Sequence, residues 1–333
     1  MKSSTQKTGR LAAFAWAVVG FNLAVILWGA YVRATGSGAG CGSHWPLCNG
    51  EVLPQAAAGG KTFIEFAHRA TSGLAFLLVV VLVIRIFRAF PKGHAARRGA
   101  VLSLVFMVLE ALIGAGLVLF RLVADDASVA RAVYLSLHLV NTFVLLAVLG
   151  LTAWWASGVR RSSVAGGESG DGGALRWGLY VALLATLALG VSGAVAALGA
   201  TLFPGSVPAE VLREDLSATA RLMFSLRQYQ LHPLLAATVG AYLIAIAAVA
   251  RRSRPGVWAR RFAASVTTLV LLQLGVGLLN AALLAPVWLQ LVHLLLADLL
   301  WLSLVLLTAV ALECEQEATE DLKGVRLRPA VEV

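Results

Sequence analysis

Two stretches of this chain leave it almost no choice of environment: residues 11–32 run for 22 positions without a charge, and residues 132–159 for 28. A helix rises about 1.5 Å per residue, so about 20 apolar residues cross a bilayer core, and a helix satisfies its own backbone hydrogen bonds where no water is available. Hydropathy predicts eight such spans, at about 11–33, 63–84, 99–120, 132–157, 177–201, 228–250, 262–284 and 287–312. Ala285-Pro286 divides the last long run into two, because proline cannot continue the helical hydrogen-bond ladder. Only 13% of the 333 residues are charged, about half of what a soluble domain carries. The first apolar run is too long for the core of a cleaved signal peptide and reads as an uncleaved helix.

The net charge of +10 is not gathered on one soluble face, so nucleic-acid binding is excluded. The basic residues sit in short connections instead: Lys2, Lys7 and Arg10 at the N-terminus; Arg85, Arg88, Lys92, Arg97 and Arg98 between spans two and three; Arg251, Arg252, Arg254, Arg260 and Arg261 between spans six and seven. Positively charged loops stay in the cytoplasm. The alternate loops balance their charges, Arg121 and Arg131 against Asp125 and Asp126. Both termini are therefore expected in the cytoplasm, with the chain in a bacterial inner membrane.

The Gly/Ser-rich segment 162–173 reads as a linker between two halves, and the halves repeat weakly. Gly29-Ala30-Tyr31-Val32 recurs as Gly193-Ala194-Val195-Ala196, an offset of 164 that also relates His68 to His232. Glu110 followed by Gly114 is echoed by Gln273 followed by Gly277, an offset of 163, and His138 matches His293 at 155. The expected organisation is two pseudo-symmetric four-helix bundles, at 1–157 and 177–312, joined by a cytoplasmic linker at 158–176 and followed by a polar, disordered tail at 313–333.

Four of the six histidines fall inside spans: His68, His138, His232 and His293. Each lies on an even-numbered helix, about four to six residues from the outer end, so all four share one depth. Polar residues there are costly and tend to be functional. Zinc usually takes mixed ligands, whereas paired histidines from separate helices suit haem, whose iron accepts an axial imidazole on each face. Gly73, Gly114, Gly116, Gly275 and Gly277 would let a flat macrocycle enter, or let helices pack closely.

Glu65 precedes His68 by three residues and shares its helix face. It reads as a proton-transfer group, or as a partner orienting the imidazole. Its repeat counterpart, Gln228 or Tyr229, does not ionise near neutral pH, so the reactive site is expected in the first half. Arg33, Arg69, Arg131 and Arg227 lie near the outer surface, where they could meet haem propionates or anchor the helices. Cys41 and Cys48 share an outer loop in an oxidising compartment and are expected to form a disulfide. Asp298, a turn and a half beyond His293, is expected to make a helix–helix hydrogen bond.

The run Val32-Arg33-Ala34-Thr35-Gly36-Ser37-Gly38-Ala39-Gly40-Cys41, with His44-Trp45-Pro46-Leu47-Cys48 after it, resembles the first outer loop of haem A synthases. Glu65-Phe66-Ala67-His68-Arg69 resembles that family's Glu-x-x-His-Arg signature, and the single histidines on spans four, six and eight fit as well. The likeness covers about residues 11–312, most specifically in the first half. It implies a membrane oxidase turning a methyl group of haem O into a formyl group, giving haem A. By the same likeness His68 and His138 would hold the substrate haem with Glu65 assisting, and His232 and His293 would ligate a haem b. Implied partners are a haem O synthase, cytochrome oxidase assembly factors and a membrane electron acceptor or donor, with self-association left open. Pro233 departs from the pattern, since many relatives carry arginine after this histidine; it would kink span six or mark its start. The rival readings are a di-haem electron-transfer cytochrome and, less favoured, a transporter.

Overall fold

The computed structural model describes residues 2–55, 59–158, 172–202, 231–254 and 256–326. The described residues form eight helices: α1 (Lys2–Ala34), α2 (Gly60–Ala89), α3 (Ala95–Leu119), α4 (Val129–Ala156), α5 (Gly172–Leu202), α6 (Leu231–Ser253), α7 (Val257–Ala282) and α8 (Val287–Arg326). All eight are long and apolar enough to span a membrane, which makes this an all-α, multi-pass membrane protein. Among the described residues the only extended pairing is an isolated bridge, Cys48 with Glu51.

Local sequence sets the helix ends. Ser128 caps α4, its Oγ accepting from Arg131 N at 3.1 Å, while Asp126 accepts from the Ser128 hydroxyl. Between α7 and α8, Leu284 and Ala285 take positive φ, and Pro286 then supplies the carbonyl for the amides of Leu289 and Gln290. Pro233 lies in the first described turn of α6.

Two sequence expectations are corrected. The segment following the last apolar span is not a disordered tail throughout: α8 continues as helix to Arg326. Residues 313–323 are rich in Glu, Ala, Gln, Leu and Lys, which propagate a helix well without an apolar face. The histidines are not uniformly four to six residues from their helix starts. Counting from the first residue of each helix, His68, His138 and His293 stand 8 (68 − 60), 9 (138 − 129) and 6 (293 − 287) residues in, while the residues preceding Leu231 on the His232 helix lie outside the described residues. The helices α2 and α4 begin before their apolar runs, since polar residues such as Lys61 and Arg131 are carried inside the helical segment. The linker expected at 158–176 falls largely outside the described residues, as do Arg227, Gln228 and Tyr229.

In the first half α1 packs on α2 and α4, and α3 on α2 and α4; in the second, α5 packs on α6 and α8, and α7 on α6 and α8. The halves meet where α4 lies against α5 and α8, and α1 against α8, a pattern unchanged when α1–α4 are exchanged with α5–α8. One buried cluster crosses this seam, taking Leu145, Leu146 and Leu149 from α4 and Trp301, Leu302 and Val305 from α8. Trp301 stacks on Phe143 at 5.3 Å and donates its indole N–H to the Phe143 carbonyl at 2.6 Å. At the C-terminal end of α1 Arg33 ties the halves, donating to Ala197 O (2.9 Å), Thr201 Oγ1 (2.7 Å) and Gln290 Oε1 (2.9 Å).

Candidate functional site

The four intramembrane histidines come together as two pairs, one per half. His232 and His293 face each other edge to face, ring centroids 6.4 Å apart. Two nitrogen ligands about 2 Å either side of one metal ion, with the ring radii added, give a separation of roughly 6 Å, so this pair fits one iron taking both imidazoles. His68 and His138 are close enough to interact electrostatically. Among the described residues no three His, Cys, Asp or Glu side chains gather into a metal cluster; the donor sets are pairs.

Each histidine leans on a glycine of a neighbouring helix. A Cβ at Gly29 would stand 2.9 Å from His68 Cε1, at Gly193 3.0 Å from His232 Cε1, at Gly277 3.0 Å from His293 Cε1, and at Gly114 3.5 Å from His138 Nε2. These positions are the repeat landmarks themselves, so the glycine–histidine pairs recur in both halves. Such cradles, which a methyl group would fill, suit a flat ligand entering between helices. The other glycines picked from sequence behave differently: Gly116 faces Tyr134, while Gly73 and Gly275 have nothing within 4 Å.

The partners of the imidazoles differ. His138 Nδ1 lies 2.8 Å from Glu110 Oε1. The same carboxylate accepts from Asn141 Nδ2 and from the Thr142 hydroxyl, and Asn141 also donates to Phe106 O at 2.9 Å. His232 Nδ1 lies 2.8 Å from Ser192 Oγ, which donates its own proton to Leu189 O. The amide of Gln273 stands 3.3 Å from His293 Nε2. His68 Nδ1 and His293 Nδ1 are buried without a hydrogen-bond partner among the described residues. In the sequence Glu110 stands out only as a repeat landmark. The signal that could have found its role is the substitution pattern within the repeat, a carboxylate in one half against an amide in the other.

Glu65 is buried, and its hydrogen bonds among the described residues go to Cys41 and Arg69. Its Oε2 accepts from the Cys41 amide at 2.8 Å, and its Oε1 pairs with Arg69. Arg69 in turn donates to the carbonyls of His44 and Leu47, both at 2.6 Å. The expected disulfide joins Cys41 and Cys48, and the chain turns just beyond it at Asn49-Gly50, both with positive φ as a tight hairpin requires. Gly40 lies so close to α2 that a Cβ would fall 2.5 Å from Lys61 O, and Thr62 donates to Gly40 O at 2.8 Å. Glu65, Arg69 and Thr62 thus fasten the disulfide loop over the outer end of α2. Of the arginines considered for propionates, Arg33 bridges the halves, Arg69 holds this loop, and Arg131 donates to Ala124 O and Asp126 O of its own connection. Asp298 is fully buried, and neither carboxylate oxygen has a partner among the described residues; the expected helix–helix hydrogen bond is absent there.

Residues 12–305 match the COX15-CtaA family, described as cytochrome oxidase assembly protein. A protein of Thermus thermophilus named "Protoheme IX farnesyltransferase" is 52% identical over 309 residues, covering 93% of this chain and 50% of its own length. The chain therefore spans about half the length of that curated relative. Proteins named "Heme A synthase" from Bacillus mycoides and Bacillus cereus are each 46% identical over 98 residues, 29% of this chain and 31% of their own length.

Proposed function

The chain belongs to the COX15-CtaA cytochrome oxidase assembly family, and from that premise we propose that it serves haem A biosynthesis as a haem A synthase, oxidising a methyl group of haem O to the formyl group of haem A. The observation that carries this reading is the asymmetric doubling: two histidine pairs, each on glycine cradles, with a carboxylate, Glu110, bonded to an imidazole among the described residues only in the first half. The likeness to proteins named haem A synthase supports it.

In this reading His68 and His138 hold the substrate haem, and His232 and His293 hold a haem b that relays electrons. Bound haem would be held by these histidines and would supply the redox chemistry. The chain's own residues do the rest. Glycines 29, 114, 193 and 277 leave room for the rings. The loop fastened by Cys41–Cys48, Thr62 and Arg69 covers the outer mouth of α2. Turning methyl into formyl with water as the oxygen donor releases four electrons, which pass to the membrane electron acceptor, and four protons; Glu65, on the His68 face, is the proposed acid–base group, its charge held by Arg69. A haem O synthase would supply the substrate; assembly factors of cytochrome oxidase and a membrane electron acceptor would complete the pathway, in a bacterial inner membrane with both chain ends in the cytoplasm.

The name of the Thermus relative describes farnesyl transfer, the chemistry that makes a farnesylated haem rather than oxidises one. Such transfer calls for carboxylates around a divalent cation and a diphosphate. The described residues offer histidine pairs instead, which favours the oxidation. The rival electron-transfer cytochrome predicts bound haem but no new product. The deciding measurement is chromatography of acid–acetone haem extracts from cells supplying haem O: haem A should form with this protein and not without it. Haem b bound, with haem O unchanged, would favour the cytochrome.

A further inference from the structure

We propose that Glu110 is a positioning residue for His138: its carboxylate fixes the imidazole with Nδ1–H toward α3 and Nε2 free, and makes the first-half pair the more electron-donating of the two. This rests on the reading in which His68 and His138 hold one haem and His232 and His293 another.

The geometry is a convergent network. Glu110 Oε1 stands 2.8 Å from His138 Nδ1. Asn141 Nδ2, which can only donate, and the Thr142 hydroxyl point at the same carboxylate. Asn141 and Thr142 lie three and four residues after His138, one turn along α4, so α4 presents three donors to a single acceptor on α3. With Nδ1–H committed to an anionic acceptor, the tautomer is fixed and Nε2 carries the lone pair. Nε2 is also the atom facing Gly114, at 3.5 Å from where a Cβ would be, so the free nitrogen is directed into the glycine cradle.

The second half lacks this charge at both places where it could appear. Glu110 is replaced in the repeat by Gln273, whose Oε1 has no hydrogen-bond partner among the described residues. Asn141 and Thr142 are replaced by Leu296 and Ala297, which bring no donor. The second-half histidine whose Nδ1 is held, His232, meets the neutral hydroxyl of Ser192. A hydrogen bond from a ligating imidazole to a carboxylate raises its basicity and stabilises the oxidised metal; a hydroxyl or an amide does so less. The first-half haem is therefore assigned the lower reduction potential, which sets the direction of electron flow from the first pair to the second.

The test is a redox titration, followed by visible absorption, of the full chain purified in detergent and loaded with protohaem alone. Two midpoints are expected, the lower one lost in H138A. E110Q should raise that lower midpoint by at least about tenfold in its reduction equilibrium, about 59 mV for a one-electron couple, and leave the upper one in place. Q273E guards against an E110Q protein that does not hold haem: it should lower the upper midpoint alone. Solid-state NMR of the haem-free protein with 15N-labelled histidine should find His138 as the Nδ1–H tautomer in wild type. Unmoved midpoints in both variants, or the Nε2–H tautomer at His138, would overturn the proposal. These readouts are independent of product: shifted midpoints without haem A would sink the synthase reading and keep this one, and haem A formed with unmoved midpoints would do the reverse.

Discussion

His138 and His293 hold corresponding places, each on the last helix of its half and each against a glycine of the helix before it, Gly114 and Gly277. One turn before that glycine stands Glu110 in the first half and Gln273 in the second. The carboxylate gathers His138, Asn141 and Thr142, whereas the amide approaches the Nε2 edge of His293 and leaves Nδ1 without a partner among the described residues. At the outer end the difference widens, because the first half alone has a cysteine pair in its loop, the third cysteine being Cys314. The comparison teaches that small residues at helix contacts preserved the frame of the repeat, while single polar substitutions beside that frame separated its two halves in chemistry.

Removing ligands should break the comparison most visibly. His232→Ala or His293→Ala is expected to abolish nearly all of the low-spin, six-coordinate haem b spectrum, since one imidazole cannot saturate the iron. His68→Ala and His138→Ala should leave that second-half signal in place. Absorption and electron paramagnetic resonance spectra of the purified variants read the outcome. Full haem b content in both second-half variants would show the assignment of the pairs to be wrong.

Glu65→Gln tests whether the acid–base chemistry belongs to the first half. It keeps the shape but exchanges one of two acceptor oxygens for a donor; the haem b spectrum, which belongs to the second half, should persist, while haem A should fall by about two orders of magnitude, the scale of a lost acid–base group. Haem O or a partly oxidised form should accumulate in the extracts. Undiminished haem A would leave Glu65 with the role its contacts already give it, fastening the Cys41–Cys48 loop through Arg69 and the Cys41 amide.

The spans, the repeat, the four histidines and the disulfide were legible in the sequence because each rests on a local or periodic signal. Long uncharged runs have one stable environment, and matched offsets expose duplication. The network around Glu110 was not legible, since it joins α3 to α4 across 28 residues (138 − 110), and spacing along one helix says nothing about which face of another it meets. The same limit hid the role of Arg33, which reaches residues 164, 168 and 257 positions away. Glu65 was correctly placed on the His68 face, but its oxygens are claimed by a loop folding back, which helical spacing cannot foresee.

The disulfide should matter to the first half alone. Closing a loop of seven-residue separation removes chain entropy worth about 2.5 kcal/mol. Replacing both cysteines with serine should lower the thermal midpoint of the purified protein accordingly, with the second-half haem b spectrum retained below the transition. Mass spectrometry of non-reduced peptides from wild type should find Cys41 and Cys48 linked; two alkylatable thiols in protein isolated without reductant would refute the bond.

The smallest effects should come from the glycines, and they discriminate finely between the halves. Alanine in a helix interior is favoured over glycine by about 1 kcal/mol, while forcing a methyl into a filled site costs about 1–3 kcal/mol. At Gly29, Gly193 and Gly277 the added Cβ would meet an imidazole Cε1 at 2.9, 3.0 and 3.0 Å, so the histidine must tilt. Gly29→Ala and Gly193→Ala should therefore cost about the same, about 1 kcal/mol net, as the repeat requires. Gly114 differs, because its nearest neighbour would be His138 Nε2 at 3.5 Å, an ordinary contact. There the helix preference should win, and Gly114→Ala should be neutral or stabilising by up to about 1 kcal/mol. Gly277→Ala at the matching site should destabilise and reduce haem b content. Thermal unfolding and haem content measured on the four single variants give the answer. Equal penalties at Gly114 and Gly277 would mean that His138 lies as close to its glycine as His293 does, and that the Glu110 network does not set its position.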